Sequence, residues 1–241
     1  MSDVFIVNNF HGSSSCAFNL YAEGRCLISD TLRQNIVWEK YLHNVFDQYI
    51  DKESIVLEGG CHVGSHTMKL GFLAAHVYAF EPLPSSHELL AKNILVNQLE
   101  NVSLRQMALS DQCSTARYGW SADGNPGASG LDGNPMGLPE WSGRPAEEIQ
   151  VITTTIDDLN LEKLDFIKLD IEGYEPLAIK GGLATISKFL PTITMEVWSD
   201  HSGVLDLNRP KEIFPELFEM GYLYAQIGAT PDFLFVHQSR V

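Results

Sequence analysis

Residues 55–64 read I-V-L-E-G-G-C-H-V-G, and the fold follows from them. Ile55, Val56 and Leu57 have no polar face, which fits a strand buried on both sides in a parallel sheet. Glu58 ends the run, Gly59, Gly60 and Gly64 follow, and an apolar-periodic segment begins at Thr67. The order is strand, glycine turn, helix. Glycine permits a sharp turn and a close ligand approach, and the helix points its free N–H groups at whatever binds there. The spacing is E-x-G-x-x-x-G. A dinucleotide fingerprint would need glycine at position 58 or 63, and a phosphate-binding loop would need a Lys-Ser/Thr pair; this stretch has neither. An acid at the strand tip beside such a turn suits a ligand with a cation and few phosphates. S-adenosylmethionine, with an ammonium, a sulfonium and no phosphate, is such a ligand. Taken alone, the stretch also reads as an ordinary glycine-rich loop.

Downstream, residues 76–80 form a second apolar strand ending in Glu81-Pro82, where Pro82 stops the strand. In nucleotide-binding α/β sheets an acid at this point accepts hydrogen bonds from ribose hydroxyls. A helix opens at Pro84 and runs to about Asn97, and a third strand spans 102–109, leading into Ser110-Asp111. Residues 155–159 read as a short capped helix. A fourth strand, 164–169, leads into Asp170-Ile171-Glu172-Gly173. A helix over 174–189 is loosened by Gly181-Gly182, a fifth strand spans 192–198, and a helix over 209–220 is started by Pro210. Strands 222–227 and 232–237 close the chain around a Gly-Ala-Thr-Pro turn. Upstream, apolar spacing predicts one helix over 31–50. The first 30 residues suggest a short strand at 5–7, a polar turn at 11–15 and a hairpin at 17–28 around Glu23-Gly24. Alternating strands and helices imply an α/β, doubly wound, mostly parallel sheet with helices on both faces, and the short final turn makes the last pair antiparallel. Two parts are expected: an N-terminal segment and helix, 1–50, capping the site, and a catalytic domain, 51–241. Within the latter, residues 119–145 are rich in Gly and Pro, with Trp120 and Trp141 near the ends. They read either as a disordered surface insertion or as a lid over the acceptor.

The balance of 16 Lys and Arg against 31 Asp and Glu leaves a net charge of −15, which argues against a nucleic-acid backbone or an anionic membrane as partner. No apolar run has the length of a membrane span, and the N-terminus lacks the features of a secretory signal. Cys16, Cys26, Cys61 and Cys113 are scattered and form no CxxC, so neither a disulfide framework nor a zinc site is indicated. The expectation is a reduced, cytoplasmic protein; the oligomeric state is left open.

The motifs V-L-E-G-G-C-H-V-G-S-H-T and V-Y-A-F-E-P resemble the first two motifs of class I S-adenosylmethionine-dependent methyltransferases. T-T-T-I-D-D-L, D-F-I-K-L-D-I-E-G-Y-E and T-I-T-M-E-V resemble the FkbM-type branch, over residues 36–237. The resemblance implies a Rossmann-like seven-stranded sheet with a reversed last strand. It also implies O-methylation, commonly of a sugar hydroxyl or of a hydroxyl on a glycosylated or polyketide small molecule. The chain departs from the pattern where Cys61-His62 replaces a small residue and Asn, and where Glu58 replaces Asp. On this reading Glu58 holds the methionine ammonium, Gly60 and Gly64 make room for it, and backbone N–H groups near His62 assist. Glu81, beside Pro82, takes the ribose hydroxyls, and Met107, Ala108 and Asp111 flank the adenine. Lys168, Asp170 and Glu172 alternate along the fourth strand, which places them on one side at the ligand-binding end of the sheet. The base is Asp170, Glu172 or a histidine, with His201 the best placed; Glu172 alternatively caps the next helix. A Mg²⁺ held by Asp170, Glu196 and Asp200 is possible but not favoured, since Glu196 can instead pair with Lys168. His11, His43, His66, His76 and His87 show no ligand spacing. The expected acceptor is a small molecule or glycan. The alternative is a non-catalytic S-adenosylmethionine-binding module; the glycine spacing disfavours an NAD-dependent oxidoreductase.

Overall fold

The computed structural model describes residues 4–120, 126, 129–131, 148–197 and 207–241. Asp200, His201, Trp141 and most of 119–145 lie outside these residues, as does the Trp120 side chain, so the two readings of the 119–145 segment apply to chain that is not described.

Seven strands form the central sheet: β3 (Ile55–Gly59), β4 (His76–Phe80), β5 (Val102–Arg105), β10 (Phe166–Leu169), β11 (Thr192–Glu196), β12 (Tyr222–Gln226) and β13 (Asp232–His237). Their order is β12-β13-β11-β10-β3-β4-β5. All pairs from β5 to β11 are parallel, and β13 runs antiparallel to both β11 and β12. This is a doubly wound Rossmann-like sheet with a reversed last strand. Chain order reverses beside β3: β4 and β5 build outward on one side, β10 and β11 on the other. Such a sheet opens a crevice at the carboxyl ends of the two central strands. The strands are apolar without alternation because helices cover both faces. Val56, Leu57, Phe166 and Ile167 are fully buried.

Helices α3 (Thr67–Leu73), α4 (Pro84–Val96), α5 (Glu175–Lys180) and α6 (Leu183–Phe189) make the crossovers. The expected helix over 174–189 is two helices. A Cβ on Gly181 would run into the carbonyl oxygen of Ser110, so the Gly181-Gly182 break lets two loops meet. The helix expected over 209–220 is likewise split, into α7 (Arg209–Ile213) and α8 (Pro215–Glu219), because Pro215 has no N–H to continue the ladder. Upstream, the single helix read over 31–50 is α1 (Leu27–Arg33) and α2 (Lys40–Tyr49). Asn35 and Glu39, both in the left-handed region (φ 63° and 42°), interrupt it. The N-terminal hairpin is β1 (Val4–His11) with β2 (Ser14–Asn19). Its turn is at Gly12, which has a φ of +58°, and not at Glu23-Gly24. Asn93 of α4 and Asn97, which caps its C-terminal end, hydrogen-bond the β2 backbone at Asn19 and Ala17, fastening the hairpin to the sheet's helical layer.

The strand read over 102–109 also divides. After β5 the chain leaves the main sheet, and β6 (Ala108–Leu109) pairs with β9 (Glu148–Thr154) in a second sheet of order β6-β9-β7-β8. There β7 (Ser114–Trp120) and β8 (Ser129–Leu131) are antiparallel. Tyr118, Leu131 and Val151 form a small core with Leu83 and Tyr174, which seats this sheet beside the crevice. Among the described residues no helix is long and apolar enough to cross a membrane.

Candidate active site

The crevice encloses about 730 Å³ including its mouth. One wall is the turn after β3 (Gly59, Gly60, Cys61, His62) with Glu81 and Pro82 from the tip of β4. Beside it, on the neighbouring strand, Lys168 of β10 and Asp170 and Glu172 just beyond its end also line the crevice. Met107, Ala108 and Leu109 line an apolar end, and Tyr118 and Leu131 of the second sheet border it. Ile28, Trp38 and His66 also line it.

Gly60 has a φ of +79°, and a Cβ there would strike the carbonyl oxygen of Asp170, so the tips of β3 and β10 meet through it. Gly64, also left-handed, faces Leu90 of α4, whose Cδ1 would lie 2.5 Å from a Cβ at that position. Its lack of a side chain serves helix packing, and it does not line the crevice. His62 has a φ of 50°, a conformation in which Asn is favoured among non-glycine residues. The ring of His62 is buried, which lowers its pKa to about 4.

Glu58 is fully buried beneath the glycine turn. Neither of its oxygens has a hydrogen bond of full geometry among the described residues, although Thr67 and Cys61 sit close enough to favour the carboxylate. Burial raises its pKa, and Lys168 opposes that rise. Lys168 stands directly opposite Glu58 in the β10–β3 register and donates to Asp170 Oδ2 at 3.1 Å. Burial works to lower the Lys168 pKa, but the charges of Asp170, Glu58 and Glu39 outweigh it and hold the ammonium above the ordinary range. On its other side Lys168 neighbours Thr194, not Glu196, so the expected Glu196–Lys168 pair is replaced by Lys168–Asp170.

Glu81 accepts from the backbone N–H of His62 at 2.7 Å and of Leu83 at 2.9 Å. Burial nonetheless raises its pKa from 4.5 to about 7. A carboxylate raised in this way contributes stability that is complete below pH 4.5 and is lost as pH climbs to about 7. Relative to Glu81→Gln, the wild type is therefore expected to lose about 2–3 kcal/mol of stability between pH 5 and pH 8. Urea melts of both proteins at the two pH values measure this; a difference that stays constant would contradict it.

The alternation expected through Glu172 stops at Leu169, where β10 ends. Glu172 reaches the crevice from a turn at φ 56°, and burial followed by repulsion from Asp170 and Glu175 raises its pKa well above the usual range. It is Glu175 that bonds the backbone N–H of Ile171, at 2.7 Å. Asp111 lies away from the crevice and pairs with Lys180 on the surface at 2.7 Å. Glu196 lies at the end of β11, opposite Asp232. Asp200, the third of the metal trio, is outside the described residues, and among those described no three His, Cys, Asp or Glu side chains converge as ligands.

Sequence reasoning missed the N-terminal contributions. Glu39 accepts from, or donates to, His66 Nε2 across 3.0 Å. Its pKa is raised to about 7 by burial and then by Asp170. His66, set aside for lack of ligand spacing, lines the crevice and is lowered to about 3 by burial. Glu39 sits at a left-handed break, φ 42°, that apolar periodicity does not show.

The family profile described as "Methyltransferase FkbM domain" matches residues 59–224. Methyltransferase sdnD from Sordaria araneosa is 23% identical over 212 residues, which cover 73% of this chain and 79% of that protein. The crystal structure of methyltransferase FkbM from Methylobacillus flagellatus KT shares the fold, with a TM-score of 0.51 and 18% identity. That alignment covers 78% of this chain but only 44% of that one, so the chain spans less than half of that relative. A Streptococcus mutans protein solved in complex with SAH aligns at a TM-score of 0.45 and 15% identity, over 81% of this chain and 94% of that one. The chain belongs to the FkbM methyltransferase family and is an S-adenosylmethionine-dependent methyltransferase.

Proposed function

We propose that the protein methylates a hydroxyl oxygen, that of a sugar in a glycan or a glycosylated small molecule, and that the crevice holds both cofactor and acceptor. The observation that carries this is a shared cavity. The glycine turn with Glu81, and Lys168, Asp170 and Glu172 from the adjoining strand end, line the same crevice. The residues fit the cofactor. Glu58, buried beneath the glycine turn and not itself in the crevice lining, has oxygens with no hydrogen bond of full geometry among the described residues, which suits it to the methionine ammonium directly or through water, with Gly60 and the backbone near His62 alongside. Each Glu81 oxygen accepts one backbone N–H and keeps lone pairs for ribose hydroxyls. Met107 and Ala108 offer an apolar surface to adenine.

The bound cofactor supplies an electrophilic methyl group on a sulfonium. The chain's task is then placement, from which much of the acceleration of such a transfer can come. Lys168 fixes the Asp170 carboxylate, and Asp170 or Glu172 accepts the hydrogen bond and then the proton of the acceptor hydroxyl. Residues 1–50 act as a cap through Ile28 and Trp38, which with Tyr118 exclude water. The candidate base His201 is outside the described residues. The net charge of −15 and a cavity in which Lys168, the one lining lysine among the described residues, already serves Asp170 favour an uncharged acceptor over nucleic acid. A cytoplasmic location is in keeping with four free thiols.

Calorimetry with S-adenosylhomocysteine, followed by a mass-spectrometric screen of sugars, glycosylated compounds, polyketides and RNA for gain of one CH₂, tests the reading. Binding of the ligand and methylation of a glycosyl hydroxyl are expected. Methylation confined to nitrogen, carbon or RNA would overturn it.

A further inference from the structure

The ring of His62 is held from both sides by residues that the cofactor reading does not use. Nδ1 lies 3.0 Å from Ser86 Oγ, and Nε2 lies 2.9 Å from Cys26 Sγ. Tyr21 stacks on the imidazole at 5.5 Å, and its hydroxyl reaches Ser86 Oγ at 2.9 Å and Ser85 Oγ at 2.7 Å. The thiol is itself placed: Cys26 is the N-cap of α1, and its sulfur accepts from the backbone N–H of Ser29 at 3.5 Å. These bonds run as one chain. When the thiol donates to Nε2, Nδ1–H donates to Ser86, Ser86 to Tyr21 and Tyr21 to Ser85; reversing every proton satisfies the same atoms. Burial keeps the ring neutral, so each nitrogen has a single role. The other buried thiols have no such partner: Cys16 and Cys61 donate to carbonyl or amide oxygens.

The same residue connects this chain of bonds to the cofactor wall, because the backbone N–H of His62 donates to Glu81 Oε2 at 2.7 Å. His62 holds a left-handed turn, at a φ of 50°. We infer that Cys26 is a positioning residue for cofactor binding, which with Ser86 and Tyr21 fixes the His62 ring and thereby the N–H that orients Glu81. Segment 21–29 and the cofactor wall then order together. Cys26 and Tyr21 precede the residues matched by the family profile, so this device belongs to the chain's own N-terminal segment. The inference rests on the cofactor reading above.

The test uses the full chain carrying Cys113→Ser, which removes the exposed thiol, with S-adenosylhomocysteine as the ligand. Cys26→Val is expected to weaken binding about tenfold, while Cys26→Ser, which keeps a donor and an acceptor, stays within about threefold. In a His62→Asn background Cys26→Val adds no further loss, because the ring it held is gone. Wild-type affinity in Cys26→Val, or full additivity with His62→Asn, overturns the proposal. Because Cys26→Val can fail to fold, a second measurement keeps the native thiol. Iodoacetamide labelling of Cys26, read by peptide mass spectrometry, is expected to slow when the ligand is present, and a rate that the ligand leaves unchanged overturns the proposal. If the parent protein binds no S-adenosylhomocysteine, the cofactor reading fails and this inference fails with it.

Discussion

Gly60→Ala is expected to abolish S-adenosylhomocysteine binding and to destabilise the fold by about 4 kcal/mol or more, lowering Tm by about 10 °C. Two effects combine. At a φ of +79° an L-residue carries the left-handed penalty, about 1–2 kcal/mol. The larger effect is steric: the new Cβ meets the carbonyl oxygen of Asp170, a backbone atom that no rotamer change can move aside. Either the β3 turn or the β10 tip must shift, and residues of both line the crevice. Gly24→Ala separates the effects, because Gly24 has a φ of +75° but nothing within 4 Å of its Cβ position. It should cost only the conformational part, about 1 kcal/mol. Thermal melts and calorimetry on the two variants decide the matter. Equal losses would show that backbone strain dominates and that the wall contact is unimportant.

The contrast between these glycines also marks what the sequence could reveal. Glu58, Gly60, Glu81, Lys168 and Asp170 are legible because each sits at or beside the end of a short apolar run. A parallel sheet brings such ends together on one edge whatever the loops do. Gly64 and Asp111 belong to the same stretches but face away, and linear spacing carries no information on which way a turn residue points. Glu172 arrives by a left-handed turn where strand periodicity no longer applies. The second sheet was hidden for another reason: its strands pair across a long stretch of intervening chain, and the two-residue β6 is too short to show a period. Cys26, Trp38, Glu39 and His66 were least legible. Three of them precede the first core strand, as caps of α1 and α2 or in the link between, and the fourth, His66, is the N-cap of α3. The left-handed residues Asn35 and Glu39 interrupt an apolar pattern which by itself reads as one continuous helix.

Lys168→Met is expected to cost about 3–5 kcal/mol at pH 8, the range for removing one member of a buried charge pair, and far less near pH 5. Lys168 and Glu58 face each other across β10 and β3, both nearly inaccessible to water. Burial already raises the Glu58 pKa, and Lys168 is the leading influence pulling it down. Without the ammonium, that pKa rises further. The sign follows: a carboxylate raised in the folded state contributes stability that is complete below its ordinary value of 4.5 and declines as pH climbs through the folded value. The gap between wild type and variant must therefore widen with pH. Asp170, about one-third exposed, adds a smaller and more screened share. A mere packing defect at Lys168 would cost the same at every pH, so chemical denaturation of both proteins at pH 5 and pH 8 discriminates. The double variant Glu58→Gln with Lys168→Met sharpens the test. Removing both partners leaves no uncompensated buried charge, a change that is often close to neutral. The double variant should regain most of the stability lost at pH 8. It should not regain ligand binding if Glu58 receives the methionine ammonium, because a neutral amide offers that cation a weaker partner. Recovery of both stability and affinity would leave the Lys168–Glu58 pair as a structural element only and move the ammonium site elsewhere on the wall.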